Sequence, residues 1–237
     1  MNHPHVFFAL LLGICAACSP AHAGAGPAPR PPEQVNLADL VRDTQMLDAQ
    51  GQELELVWWI PREYMVAAMA QSADRPGERT ERELESLFDE FTLVAVLRGE
   101  VSALGAGRFE PEEALRAKVR IQDTEGKVYN PIPADEVDSR MTVLIGILRP
   151  VFKQLIGAMG ENMQLFVFPG RKGQDQRLAD PLGTGRFAVR VGDKEHAFRL
   201  PLGSLLMPKQ DPATGETFPG SYSFNPYTGG VLSPGAP

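Results

Sequence analysis

Residues 141–170 read MTVLIGILRPVFKQLIGAMGENMQLFVFPG, an apolar helical pattern that runs directly into an apolar strand. Met141, Ile145, Leu148, Phe152, Leu155 and Met159 recur at alternating spacings of four and three, and Leu144, Val151 and Ile156 widen that face. Thr142, Gly146, Arg149, Lys153 and Gly157 recur on the opposite side. A wide apolar face with a narrow polar stripe predicts a helix lying on a core. Pro150 removes its own N–H and crowds the carbonyl of Gly146, so we expect a kink over 146–150, or a break with a new helix from Pro150. Gly160 should end the helix and Met163–Phe168 should follow as a buried strand. The length alone would suit a membrane span. Arg149 and Lys153 argue against one, because each mid-span charge costs roughly 2.5–3.5 kcal/mol.

Working outward, the chain has 237 residues, 43% hydrophobic and 22% charged, which fits one globular domain with a real core. A formal net charge of −7 without any basic stripe disfavours nucleic-acid binding through phosphate neutralisation. The N-terminus is more telling. Val6–Ala17 has the length of a signal-peptide core, and Ala21-His22-Ala23 is a small-x-small site, which predicts export with cleavage between Ala23 and Gly24. Ala16-Ala17-Cys18-Ser19 resembles the end of a bacterial lipobox, with Cys15 where that motif carries leucine, so lipidation of Cys18 is the alternative. Either outcome implies a periplasmic, secreted or lipid-anchored protein. Residues 24–34 read as a flexible Pro/Ala/Gly linker, 35–207 as one domain, and 208–237 as a Pro/Gly-rich tail.

Both cysteines, Cys15 and Cys18, lie in the leader, as do His3, His5 and His22. The body therefore has no disulfide, no thiolate nucleophile and no cysteine metal site, and His196 alone cannot make a multi-histidine zinc site. No cofactor and no metal is expected.

Val35–Asp43 reads as a helix capped by Asn36. In Thr44–Ile60, Leu54, Leu56, Trp58 and Ile60 alternate with Glu53, Glu55, Val57 and Trp59, which predicts a hairpin closed at Asp48-Ala49-Gln50-Gly51. The same turn chemistry recurs at Asp123-Thr124-Glu125-Gly126. Pro61 opens a helix to Ala70, Thr80-x-x-Glu83 reads as a capping box, and Phe91–Leu97 is a buried strand followed by a loop over Gly99–Gly107. Pro111–Ala117 is a short helix and Pro169–Gly185 a long loop. A two-residue turn at Gly192-Asp193 pairs Val189 with His196 and Phe187 with Phe198. Without regular strand–helix alternation, the expected class is α+β: an antiparallel sheet or immunoglobulin-like β-sandwich with the long kinked helix of about 140–160 packed on it.

Few residues suggest chemistry. His196 reads as a half-buried core residue, and Glu195 beside it points to the other face. Glu110, Glu112 and Glu113, and likewise Asp135, Glu136 and Asp138, stand at helix starts, where acids suit the macrodipole. Gly105-Ala106-Gly107 lacks the third glycine and the helix of a dinucleotide loop. Trp59, Arg62 and Tyr64 are the weak candidates for a partner contact.

The tail reads DPATGETFPGSYSFNPYTGG over 211–230. Asp211-Pro212-x-Thr214-Gly215 and Asn225-Pro226-x-Thr228-Gly229 are similar to the paired Cys-Pro-x-Cys-Gly knuckles of zinc ribbons, with every cysteine replaced. The resemblance covers about the last 25 residues. It implies a ribbon that has lost its metal, because structural zinc needs four ligands and only Asp211 is an ordinary one. The other reading is two Pro-Gly turns. For function, the sequence points to a non-catalytic exported binding or envelope-associated module with an unnamed envelope or extracellular partner. The alternatives are a periplasmic hydrolase using a carboxylate pair on cell-wall glycan, and a small-molecule or lipid carrier.

Overall fold

The run Leu93–Leu97 is apolar at every position, so a strand built from it must be covered on both faces. The computed structural model, which describes residues 28–102, 107–173 and 176–235, provides that cover. Cys18, Ala23 and Gly24 lie outside the described residues.

In chain order the elements are α1 (Leu37–Thr44), β1 (Gln45–Gln50), β2 (Glu53–Ile60), α2 (Arg62–Ala70), α3 (Glu78–Glu90) and the long strand β3 (Phe91–Val101). Then come β4 (Gly107–Phe109), α4 (Glu112–Arg116), β5 (Val119–Gln122), β6 (Val128–Tyr129), α5 (Ser139–Ile156), α6 (Ala158–Glu161) and β7 (Gln164–Pro169). A small hairpin, β8 (Arg171–Lys172) and β9 (Gln176–Arg177), precedes β10 (Gly185–Val191) and β11 (Lys194–Leu200). The tail carries β12 (Lys209–Gln210), β13 (Thr217–Phe218) and β14 (Ser233–Pro234).

The fold is α+β with antiparallel sheets. The main sheet runs β1-β2-β3, and along the far edge of β3 its first half pairs with β7 and its last residues with β4. The second sheet has the order β11-β10-β5-β6. One face of the main sheet packs Val57, Trp59, Val94, Val96, Phe166 and Phe168 against Val119, Ile121, Phe187, Val189 and Phe198 of the second sheet. Its other face packs Leu56, Trp58, Ile60, Leu93, Ala95 and Leu97 under Leu87 and Phe88 of α3 and Met141, Leu144, Leu148 and Phe152 of α5. Sandwich and helix cover coexist because the apolar stretches of β2, β3 and β7 have no polar face to give to water. No helix among the described residues is long and apolar enough to cross a membrane.

Helix α5 departs from expectation in three respects. It continues through Pro150 without the break that is one of the two expectations there, and it stops at Gly157, whose φ of 59° ends the turn. Gly160 does something else. A Cβ there would lie 2.0 Å from the Phe152 carbonyl, so α6 folds back against α5 only because position 160 is glycine. The expected apolar face also stops early. Met141, Leu144, Leu148 and Phe152 are buried, while Leu155 is 67% exposed and Val143, Ile147, Val151 and Ile156 face out as well. The helix outruns the sheet beneath it, so Leu155 and Ile156, past Phe152, find nothing to cover them. Val143→Lys with Leu155→Lys should therefore cost less than about 0.5 kcal/mol by urea denaturation, as for other exposed sites.

Other expectations shift locally. The first hairpin turns at Gly51-Gln52, with Gln50 opposite Glu53, two residues beyond the expected Asp48–Gly51 turn, because Gly51 supplies the positive φ of 63° that so short a hairpin needs. No capping box forms at Thr80. Helix α3 starts earlier, after Gly77, and Glu83 pairs instead with Arg79 at 2.8 Å. Strand β3 continues to Val101, past the point where the sequence suggests a loop, because β4 returns alongside it, and Pro169–Gly185 contains the β8–β9 hairpin. Asn36 caps α1 as read, its Oδ1 accepting from the Ala38 and Asp39 N–H groups. The segment entering from residue 28 is held to the body: Pro29 bridges to Leu206, and the Arg30 N–H donates to the Leu205 carbonyl at 2.7 Å.

The Asp123 turn forms where the sequence places it. Asp123 is buried, accepts the Glu125 and Lys127 N–H groups at 2.9 Å each, and accepts the Tyr129 hydroxyl at 3.0 Å. Burial alone would raise its carboxyl, but those donors and Lys172 hold it below the usual range. Tyr129 is pushed up to about 12 by burial and by donating to Asp123. Asp123→Ala strands these donors and should cost about 2–3 kcal/mol. The sign differs at the two ends of the pH scale. A depressed carboxyl stabilises above its unfolded value, and that stability is lost as pH falls through the folded one. The raised tyrosine stabilises below pH 10.0, its ordinary value, and loses that contribution between 10.0 and about 12. Urea midpoints across both ranges should slope in wild type, and Asp123→Ala should make both slopes shallower.

Candidate functional site

The inward faces of the sandwich are not apolar along their whole length. On β2 the inward series runs Trp59, Val57, Glu55, Glu53, and on β3 it runs Val94, Val96, Arg98, Glu100, so charge replaces packing at one end of both strands. Opposite them, β11 carries Phe198, then His196, then Lys194. Where the hydrophobic residues give out, a cleft of about 310 Å³ opens along the ends of β2, β3 and β4, with Lys194 of β11 on its rim.

Its floor is a chain of alternating charges. Glu55 is 2% exposed and His196 7% exposed, and the imidazole Nε2 lies 2.7 Å from Glu55 Oε1. The other oxygen, Oε2, accepts no hydrogen bond and has only Arg98 Nε at 3.4 Å. The same Nε lies 3.4 Å from Glu110 Oε1, and Lys118 Nζ lies 2.6 Å from Glu110 Oε2. On the rim, Lys194 binds Asp48 at 2.8 Å, which raises the lysine and lowers the carboxyl. The lining has five carboxylates (Asp48, Glu53, Glu55, Glu100, Glu110) against three basic side chains (Arg98, Arg108, Lys194), so its field favours a cation. Among the described residues that line it, none is a serine, threonine or cysteine.

The chain matches no family model, no curated protein and no solved structure.

Of the residues singled out in the sequence, His196 joins this site as the buried partner of Glu55, and Glu195 points outward to Arg190 at 2.8 Å. Glu110 joins it too. Glu112 instead pairs with Arg116 at 2.7 Å, and Asp138 caps α5 and holds Arg140. The three contact candidates share no exposed patch. Trp59 is 1% exposed, with its ring 4.7 Å from that of Phe187, because its face of β2 is the one the second sheet covers. Arg62 pairs with Asp89 at 2.9 Å, and Tyr64 meets the Trp58 ring edge-on at 5.2 Å. Among the described residues no group of three or more His, Cys, Asp or Glu side chains is arranged to hold a metal. Glu55 and Arg98 are site residues that the sequence reading misses. Their signal is present in the alternation, since Glu55 shares a face with Val57 and Trp59, where an acid is unexpected.

Proposed function

We propose that this chain is an exported, non-catalytic binding module whose cleft takes a small ligand bearing an ammonium or guanidinium group. The observation that carries the reading is the facing of Glu53 and Glu100, direct partners across β2 and β3 on the cleft wall. Like charges directly opposed across antiparallel strands are unfavourable. Neither forms an ion pair among the described residues, and a cation between them would relieve the repulsion. The glycan-hydrolase alternative has less support. The carboxylates of Glu55 and Glu110 share Arg98, whose Nε lies 3.4 Å from each, an arrangement that ties up both groups a general acid and base would need.

Titration of the isotopically labelled protein with spermidine and with arginine amide should shift β2, β3 and β4 amide resonances, and Glu53→Gln with Glu100→Gln should weaken that response at least tenfold. The reading fails if these probes leave the cleft amides unmoved, or if citrate moves them equally. Export rests on the leader. Intact mass of the chain recovered from an exporting host should show a start at Gly24 or a lipid on Cys18, and full-length unprocessed chain would reject both.

A further inference from the structure

The tail contains two turns built to one plan. In the first, Asp211 Oδ1 accepts the Ala213 N–H, the Asp211 carbonyl accepts the Gly215 N–H, and the Asp211 N–H donates to the Glu216 carbonyl, each at 2.8 Å. In the second, Asn225 Oδ1 accepts the Tyr227 N–H, its carbonyl accepts the Gly229 N–H, and its N–H donates to the Gly230 carbonyl, again each at 2.8 Å. Thr214 Oγ1 accepts the Glu216 N–H at 3.3 Å, and Thr228 Oγ1 accepts the Gly230 N–H at 3.3 Å. Gly215 and Gly229 have φ of 75° and 73°. Each feature of the first turn thus recurs fourteen residues later, the separation of Asp211 from Asn225.

The turns meet through their first residues. Asp211 and Asn225 are both 2% exposed, in a tail otherwise largely open to water, and Asn225 Nδ2 donates to Asp211 Oδ2 at 2.5 Å. That amide, then the Ala213 N–H, holds the Asp211 carboxyl below its ordinary range. The Thr228 hydroxyl and the Asp211 carboxylate both stand near Gly230, where an added Cβ would be 3.3 Å from Thr228 Oγ1 and 3.8 Å from Asp211 Oδ2.

We propose that the Asp211–Asn225 hydrogen bond is a metal-free clasp, coupling the two turns at the point where thiolates at 211, 214, 225 and 228 would hold a tetrahedral ion. This stands apart from the cleft reading. The clasp fixes β12 between β13 and β14, and the residues just before β12 hold the incoming chain, with the Met207 N–H donating to the Ala28 carbonyl at 2.9 Å. It would therefore secure the end of the domain to which a leader or lipid anchor connects, without dependence on metal supply or thiol oxidation.

Hydrogen exchange on the full chain tests the coupling. Asn225→Ala should accelerate amides 213–216 of the first turn at least tenfold, together with its own turn at 227–230. Acceleration confined to 227–230 would overturn the clasp. Wild type dialysed against a chelator should keep its exchange pattern, and one equivalent of zinc in undialysed protein would overturn the metal-free claim. The four-cysteine variant (Asp211→Cys, Thr214→Cys, Asn225→Cys, Thr228→Cys) should bind one cobalt(II) with the absorption of a tetrahedral thiolate site. A variant with a folded body and no such absorption would overturn the placement.

Discussion

Trp59→Ala should lower the unfolding free energy by about 3–5 kcal/mol, the range for deleting a large buried aromatic. The indole is sealed between the two sheets, 4.7 Å from the Phe187 ring and 5.7 Å from that of Phe198. Neither sheet can collapse onto the vacated space without giving up its own pairing, so most of the cavity should persist. Domains of this kind are stable by roughly 5–15 kcal/mol, so this single change would remove a large part of the margin. The urea midpoint should fall with little change in slope. A loss below about 1.5 kcal/mol would mean that the ring does not fill the sandwich.

His196→Ala should cost a similar amount, about 3–5 kcal/mol, for a different reason. It removes the nearest partner of a carboxylate that is 2% exposed, leaving Glu55 with Arg98 at 3.4 Å and little water. The penalty is that of a buried carboxylate left with a single partner at 3.4 Å, so removing the charge as well should recover much of it. Glu55→Leu combined with His196→Leu should be more stable than His196→Ala, since Arg98 keeps Glu110. Equal losses in the single and the double variant would show that His196 contributes through shape alone. The double variant should also keep the spermidine response if Glu53 and Glu100 carry it.

Much of the local architecture is legible in the sequence because it depends on near neighbours. The Asn36 cap, the Asp123–Gly126 turn and the β10–β11 register, with Val189 opposite His196, follow from spacing and turn chemistry. The apolar alternation of β2 and the run at Leu93–Leu97 mark the main sheet. The extent of cover is not legible there, because Leu155 has the right periodicity and only the end of the sheet below decides that it faces water. The cleft is harder still. Glu55 and His196 are 141 residues apart, and neither segment reveals that the other will close over it. What β2 does reveal is an acid on a core-facing face, and that anomaly is the best local marker of the site.

The two-sided burial of β3 has a consequence for how the strands find their alignment. In most half-buried strands a slip by one residue sends the hydrophobic set into water, which fixes the pairing. The segment Leu93–Leu97 offers no such correction, since both of its faces are apolar and both are covered. A one-residue slip of β3 against β2 would swap one greasy face for another. At the cleft end, however, it would move Arg98 off Glu55 and turn Arg98 and Glu100 toward the helix side. The charges that line the cleft therefore also index the sheet, telling an otherwise featureless strand where to stop.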